Sequence, residues 1–199
     1  GVNAGKSSTI NALTGMKYAK VKARAGSTKE ASLYELTTGV FIADTPGLHD
    51  INEEVSKRAS EFVEKNSDIV LFFLNASSGV TKHEKNAFEE VSRLGRETII
   101  VLNKIDTLDE DEVEDVIEQV KEELGATPIA ISAKKGINID ELSDKISEIL
   151  EVSGKELLFA KVARDKKRKV TKWIRKVAAA AIGAIPFLFL ERIQWRHKA

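Results

Sequence analysis

The sequence predicts an α/β fold in three layers, a mostly parallel sheet with an antiparallel hairpin at one edge, and three observations carry that prediction. Residues 69–74, 98–102 and 128–132 are short runs that are apolar on both faces, as strands covered on both sides are. Each is followed by a stretch of helical period, at 81–94, 109–124 and 139–150. Strands alternating with helices favour right-handed crossovers and a parallel sheet between two helical layers. A Gly-Lys-Ser sequence at residues 5–7, opening a helix, is the third sign.

Taken in order, the first helix is expected over 7–14, closed by Gly15. Residues 16–30 show no period and read as a loop. Residues 32–36 alternate, Thr37-Thr38-Gly39 turns, and 40–43 is an apolar run, which together make a hairpin ended by Asp44-Thr45-Pro46-Gly47. Residues 53–65 are helical, with Val55, Ala59, Phe62 and Val63 on the apolar side. The strands and helices from 69 to 150 then follow. A boundary is expected at 152–153, dividing a first domain, 1–152, from an extension, 153–199. In the extension, 155–176 is basic and helix-compatible, and 177–190 is an unbroken apolar run.

The chain has 199 residues and no cysteine, which excludes disulfides and thiolate metal sites. Its 31 basic and 31 acidic residues balance, but not locally. Residues 155–199 hold 13 Lys/Arg and three Asp/Glu, a net of +10, so residues 1–154 carry −10. A basic segment beside an acidic domain suits a polyanionic partner, an anionic membrane or a nucleic acid.

The chemistry sits in four short motifs. In Ala4-Gly5-Lys6-Ser7-Ser8 a glycine turn feeds a helix N-terminus, whose free N–H groups and positive dipole end suit a polyphosphate. Lys6 would reach the β- and γ-phosphates and the Ser7 hydroxyl a magnesium ion. At the end of the hairpin, Asp44 can hold the magnesium through water, and the Gly47 N–H can meet a γ-phosphate. Directly after a buried strand comes Asn103-Lys104-Ile105-Asp106. The Asp106 carboxylate can accept both adjacent donors of guanine, the Lys104 stem can lie along the purine, and Asn103 can bind the base and tie the loops together. Ser132-Ala133-Lys134 follows the next strand, with the Ala133 N–H able to meet guanine O6. Three of the motifs lie at carboxyl ends of strands, where open α/β sheets bind ligands.

On these residues the chain resembles the P-loop GTPases, and among them the Era/TrmE-like group, over residues 1 to about 152. The resemblance implies GTP and GDP as ligands, Mg2+ as cofactor, and hydrolysis of GTP with switching loops. It implies that Thr28, with Ser27 as its rival, completes the magnesium shell beside Ser7 and Asp44. It also implies a potassium ion at Asn3, a residue that equally suits a plain turn. Lys6, Thr28, Gly47 and Asn3 are then the catalytic set. Where Ras-like enzymes orient water with Gln, this chain has Leu48, so slow intrinsic hydrolysis is expected, raised by potassium, self-association or a partner. In this fold a strand precedes the phosphate loop in mid-sheet; one more strand before Gly1 is expected, and without it two strand edges stay open. A non-hydrolysing nucleotide-binding scaffold and a P-loop ATPase are the competing classes.

The apolar run 177–190 would span ~21 Å as a helix, short of a bilayer core of ~30 Å, and Gly183 and Pro186 interrupt it. Lys166-Lys167-Arg168-Lys169, Lys172, Arg175 and Lys176 precede it, with Trp173 suited to an interface. The tail resembles the start of the membrane-associated Ala/Gly/Pro-rich domains that follow some GTPase domains. It implies attachment through 161–190 to an anionic membrane, and a cytoplasmic protein placed peripherally or integrally at the cytoplasmic face of the inner membrane. RNA is the lesser alternative, because the interleaved aromatics of RNA readers are missing.

Overall fold

The computed structural model describes residues 4–15, 26–27, 32–37, 40–44, 53–175 and 177, with the strands between 26 and 44 described by backbone alone. Its elements are α1 (Lys6–Thr14), β1 (Gly26–Ser27), β2 (Ser32–Thr37), β3 (Val40–Asp44), α2 (Glu53–Asn66) and β4 (Ile69–Asn75). They continue with α3 (Lys82–Arg93), β5 (Glu97–Asn103), α4 (Glu110–Leu124), β6 (Ile129–Ile131), α5 (Ile139–Val152) and α6 (Glu156–Ala160). A last helix, α7, covers 166–175. The chain forms two compact units, Gly1–Arg164 and Asp165–Ala199.

In the first unit, β4, β5 and β6 pair in parallel, in that order. Side-chain alternation along β5 explains the layers. Ile99 and Val101 point into a core with Leu13 of α1, Ile131 of β6, and Ile139, Leu142 and Ile146 of α5. Ile100 and Leu102 point the other way, into a core with Leu74, Ala76 and Val120, against which Phe88 of α3 and Val116 and Ile117 of α4 pack. The sheet is thus covered on both faces, which is why its strands read as continuous apolar runs. The Phe72 and Phe88 rings meet edge to face, 5.3 Å between centroids.

The hairpin strands β2 and β3 are antiparallel, as expected, with a register shift between Glu35 and Thr37. The two residues of β1 add to β2 in a stretch expected to be loop; a two-residue pairing is too short to leave an alternation in the sequence. The described strands form two three-stranded sheets, β1–β2–β3 and β4–β5–β6.

The helix ends follow local chemistry. Thr81 caps α3 in a capping box with Glu84: the Glu84 N–H donates to Thr81 Oγ1, and the Thr81 N–H to Glu84 Oε2. Asp109 starts α4, its N–H donating to Glu112 Oε2 at 2.9 Å, and Gly125 closes that helix at φ 71°.

The sequence suggests a boundary at 152–153; the two compact units divide after Arg164. Ala160, Val162 and Ala163 are buried, Phe159 packs on the α1/α5 core, and the Arg164 N–H donates to Leu13 O at 2.8 Å. These contacts hold α6 and its following turn to the first unit, and they break the basic helix expected over 155–176 into α6 and α7. Among the described residues, no helix is long and apolar enough to cross a membrane. Residues 178–190 of the apolar run lie outside the described residues.

Candidate nucleotide-binding site

The site begins at the N-terminus of α1. Gly5 has φ 81° and ψ 23°, in the left-handed region. A Cβ there would collide with the amide nitrogen of Asn103, so conformation and space both demand glycine. Thr9, fully buried, closes the first turn twice over, its N–H and its hydroxyl both donating to Gly5 O at 2.9 and 3.0 Å. No side chain caps this helix and no acid stands in its first turn. Lys6, Ser7 and Ser8 are exposed there. An uncapped helix start with exposed cation and hydroxyl is what an anion needs.

Asn103, at the carboxyl end of β5, joins this turn to the rest. It is 2% exposed. Its Nδ2 donates to Ala4 O at 2.9 Å, and its Oδ1 accepts from Lys104 N at 2.8 Å and Ala133 N at 3.1 Å. One side chain therefore fixes three loops. Strand pairing holds it in place, with Asn103 opposite Asn75 on one side and Ile131 on the other. The Ala133 N–H, expected to face guanine O6, is donated to Asn103 here.

Past Asn103 the chain turns sharply. Lys104 has φ 71°, uncommon for a residue with a side chain. A 3-10 turn over Ile105–Thr107 follows. Thr107 secures it, with its N–H at 3.1 Å and its hydroxyl at 2.8 Å both donating to Lys104 O. Ser77 Oγ lies 2.7 Å from Thr107 Oγ1, and Asn75 Oδ1 accepts from Ser77 N. Asn75, Ser77 and Thr107 escape a motif reading. Isolated hydroxyls and amides in short turns have no period, and only the fold brings residues 77 and 107 together.

Asp106 is held in place by Ser132, whose buried hydroxyl donates to Asp106 Oδ1 at 2.6 Å. That bond lowers the Asp106 pKa below the usual carboxylate value; Lys134 and Lys135 act weakly in the same direction, and desolvation opposes them. Ser132 Oγ also accepts from Lys135 N at 3.0 Å, while its backbone pairs with Ile137. Both uses of the Ser132 hydroxyl are internal, and one of them holds Asp106. Lys134 is exposed beside it.

The expected switch and cation residues Asn3, Thr28 and Gly47 lie outside the described residues, and Asp44 is described by backbone only, as the last residue of β3. Among the described residues no cluster of three or more His, Cys, Asp or Glu could hold a metal ion. The donors expected for magnesium, Ser7, Thr28 and Asp44, are all oxygens, which suits a hard divalent cation. Ser7 fits the part, exposed in an uncapped first turn.

Residues 1–104 match a protein family described as 50S ribosome-binding GTPase. The chain belongs to this family. Among curated GTPases of the kind, GTPase Era of Thermotoga maritima is 35% identical over 157 residues, covering 74% of this chain and 52% of its own length. The chain thus spans about half the length of the curated Era relatives it matches. An Aquifex aeolicus Era variant bound to GDP and AlF4− superposes with a TM-score of 0.56 at 26% identity, over 72% of this chain and 52% of that one. An Era solved with MgGDPNP and a segment of 16S ribosomal RNA has the same TM-score at 27% identity, over the same shares. The Era-like GTPase fold accounts for the three layers and for the placement of the motifs at strand ends.

Proposed function

We propose that the crevice between the α1 N-terminus and the loops after β5 and β6 binds GTP with magnesium and hydrolyses it to GDP and phosphate. The observation that carries this reading is Asn103, which hydrogen-bonds to Ala4 of the phosphate turn and to Ala133 of the base loop at once. The two ends of a nucleoside triphosphate then have adjacent receptors. Asp106, held by the Ser132 hydroxyl, accepts from guanine N1–H and N2–H2. Lys104 covers the ring, and the Ala133 N–H turns from Asn103 to share itself with O6. Lys6 and the first-turn amides of α1 carry the phosphates. Ser7, Asp44 and Thr28 would hold a magnesium ion, which would supply charge neutralisation to the phosphates. Water attacks the γ-phosphorus, the bond to the β–γ bridging oxygen breaks, and phosphate leaves. Thr28 and Gly47 release as phosphate departs, which makes the cycle a switch.

With Leu48 in place of a water-orienting Gln, turnover is slow, and a potassium ion at Asn3 or GTP-dependent self-association accelerates it. Single-turnover hydrolysis compared in potassium and sodium tests this. Bound nucleotide without phosphate release in either salt identifies a scaffold instead. Asp106→Asn should shift preference from GTP to xanthosine triphosphate, whose base offers an acceptor where guanine has its amino group. Unchanged GTP preference in competition binding would overturn the guanine assignment.

The basic C-terminal segment, through 161–190, attaches the protein to an anionic membrane at the cytoplasmic face. A second reading, contact with RNA, is favoured by the Era relative solved with a ribosomal RNA segment. Vesicle sedimentation in the presence and absence of RNA separates the two.

A further inference from the structure

Helix α7, over 166–175, has two unlike sides. Val170, Trp173, Ile174 and, one turn on, Val177 are spaced three or four apart and span an arc of about 100° at 3.6 residues per turn. All four are exposed, at 39%, 37%, 53% and 46%. Lys167, Arg168, Thr171, Lys172 and Arg175 occupy an adjoining arc of about 140° and line one shallow groove. The acid of this segment, Asp165, is already paired with Arg168 at 3.0 Å and lies 3.8 Å from Lys169. Lys166 stands one turn before Val170 on the apolar side, where its long stem can reach outward to its charge.

We infer that α7 lies flat in the surface of an anionic bilayer. Its Val170–Trp173–Ile174–Val177 stripe is sunk to the boundary between headgroups and acyl chains, and Lys167, Arg168, Lys172 and Arg175 lie against lipid phosphates. The inference rests on the membrane attachment proposed above and specifies its element and geometry. Charge complementarity selects the occupant. A stripe bordered by at least four cations fits a surface that is apolar beneath and anionic at the level of the flanks, and a bilayer is layered in that order. An RNA groove would neutralise the cations but leave the stripe wet, with Trp173 as its sole aromatic. In the sequence the apolar residues 178–190 follow the stripe directly. One-sidedness sets the orientation, since a helix with this many cations on one side rests on the interface and does not cross it.

The experiment uses the whole chain carrying Trp195→Phe, so that Trp173 alone reports. It is mixed with phosphatidylcholine vesicles and with vesicles containing phosphatidylglycerol. The expected result is sedimentation with the anionic vesicles, weakened by salt, with a blue shift of Trp173 emission and quenching by lipids brominated near the top of the acyl chain. Ile174→Asp should lower vesicle affinity about tenfold or more, and removal of each flanking cation by Gln about fivefold. Both changes are at exposed positions and should leave thermal unfolding and nucleotide affinity unchanged, which checks that the variants fold. Vesicle binding with Trp173 still in water, and indifferent to Ile174→Asp, would overturn the flat-helix geometry while leaving membrane attachment standing. No binding to either vesicle would overturn both.

Discussion

Helices α5 and α7 carry the same kind of apolar stripe and meet opposite fates. In α5, Ile139, Leu142 and Ile146 are buried against Val101, Ile131 and Leu13. In α7, Val170, Trp173 and Ile174 remain exposed. The polar sides differ as well, α5 opening with Asp140 and Glu141 and α7 lined with Lys and Arg. Amphipathic spacing therefore says that a helix seeks a partner, and not which one. For α5 the partner is a sheet face of the same unit. For α7 the cations that flank its stripe, Lys167, Arg168, Lys172 and Arg175, are exposed. Polar groups divide the same way. Asn103 and Ser132 are buried and satisfied several times over within the first unit, whereas Lys167, Arg168, Lys172 and Arg175 of α7 are exposed.

Substitutions can break this contrast, in descending size. Leu142→Ala, at a fully buried position, should cost about 2–5 kcal/mol of unfolding free energy, measured by denaturant titration. A loss near zero would mean that α5 is not anchored as described. Asn103→Ala strands the Ala4 carbonyl and the Ala133 N–H; it should cost about 1–3 kcal/mol and lower GTP affinity, read by equilibrium binding. If affinity holds, the three loops do not depend on Asn103. Ser132→Ala removes the main cause of the low Asp106 pKa. The sign follows from linkage: an Asp106 pKa held low keeps the carboxylate ionised until pH falls through that value. The acid limb of guanine-nucleotide binding should therefore move to higher pH in the variant, and NMR titration of the carboxyl should show the same displacement. An unmoved limb assigns acid loss of binding to another group. Ile174→Ala should change stability by less than about 0.5 kcal/mol, since its side chain is half exposed and leaves no cavity. A loss comparable with that of Leu142→Ala would show the α7 stripe to be core after all.

The loop after β5 shows how far a motif reading reaches. Asn103, Lys104 and Asp106 are legible because their residue types follow a buried strand at fixed spacing. Ser77 and Thr107 are not, although the 2.7 Å contact between their hydroxyls braces the same loop. They stand 30 residues apart in the chain, and serine or threonine in a turn is too common to single out. Ser132 was singled out by its motif but not as the donor to Asp106, because that bond depends on which way a buried hydroxyl points.

By itself the sequence determined the alternation of strands and helices, and the four short motifs. These are local matters: side-chain period, a turn residue's allowed backbone, a donor or acceptor at a strand end. The tertiary structure alone decided that the first unit runs on to Arg164, that one asparagine binds three loops, and that the α7 stripe stays open. Each of those depends on which distant surfaces meet, and a chain's linear pattern specifies the appetite for burial without specifying the surface that satisfies it.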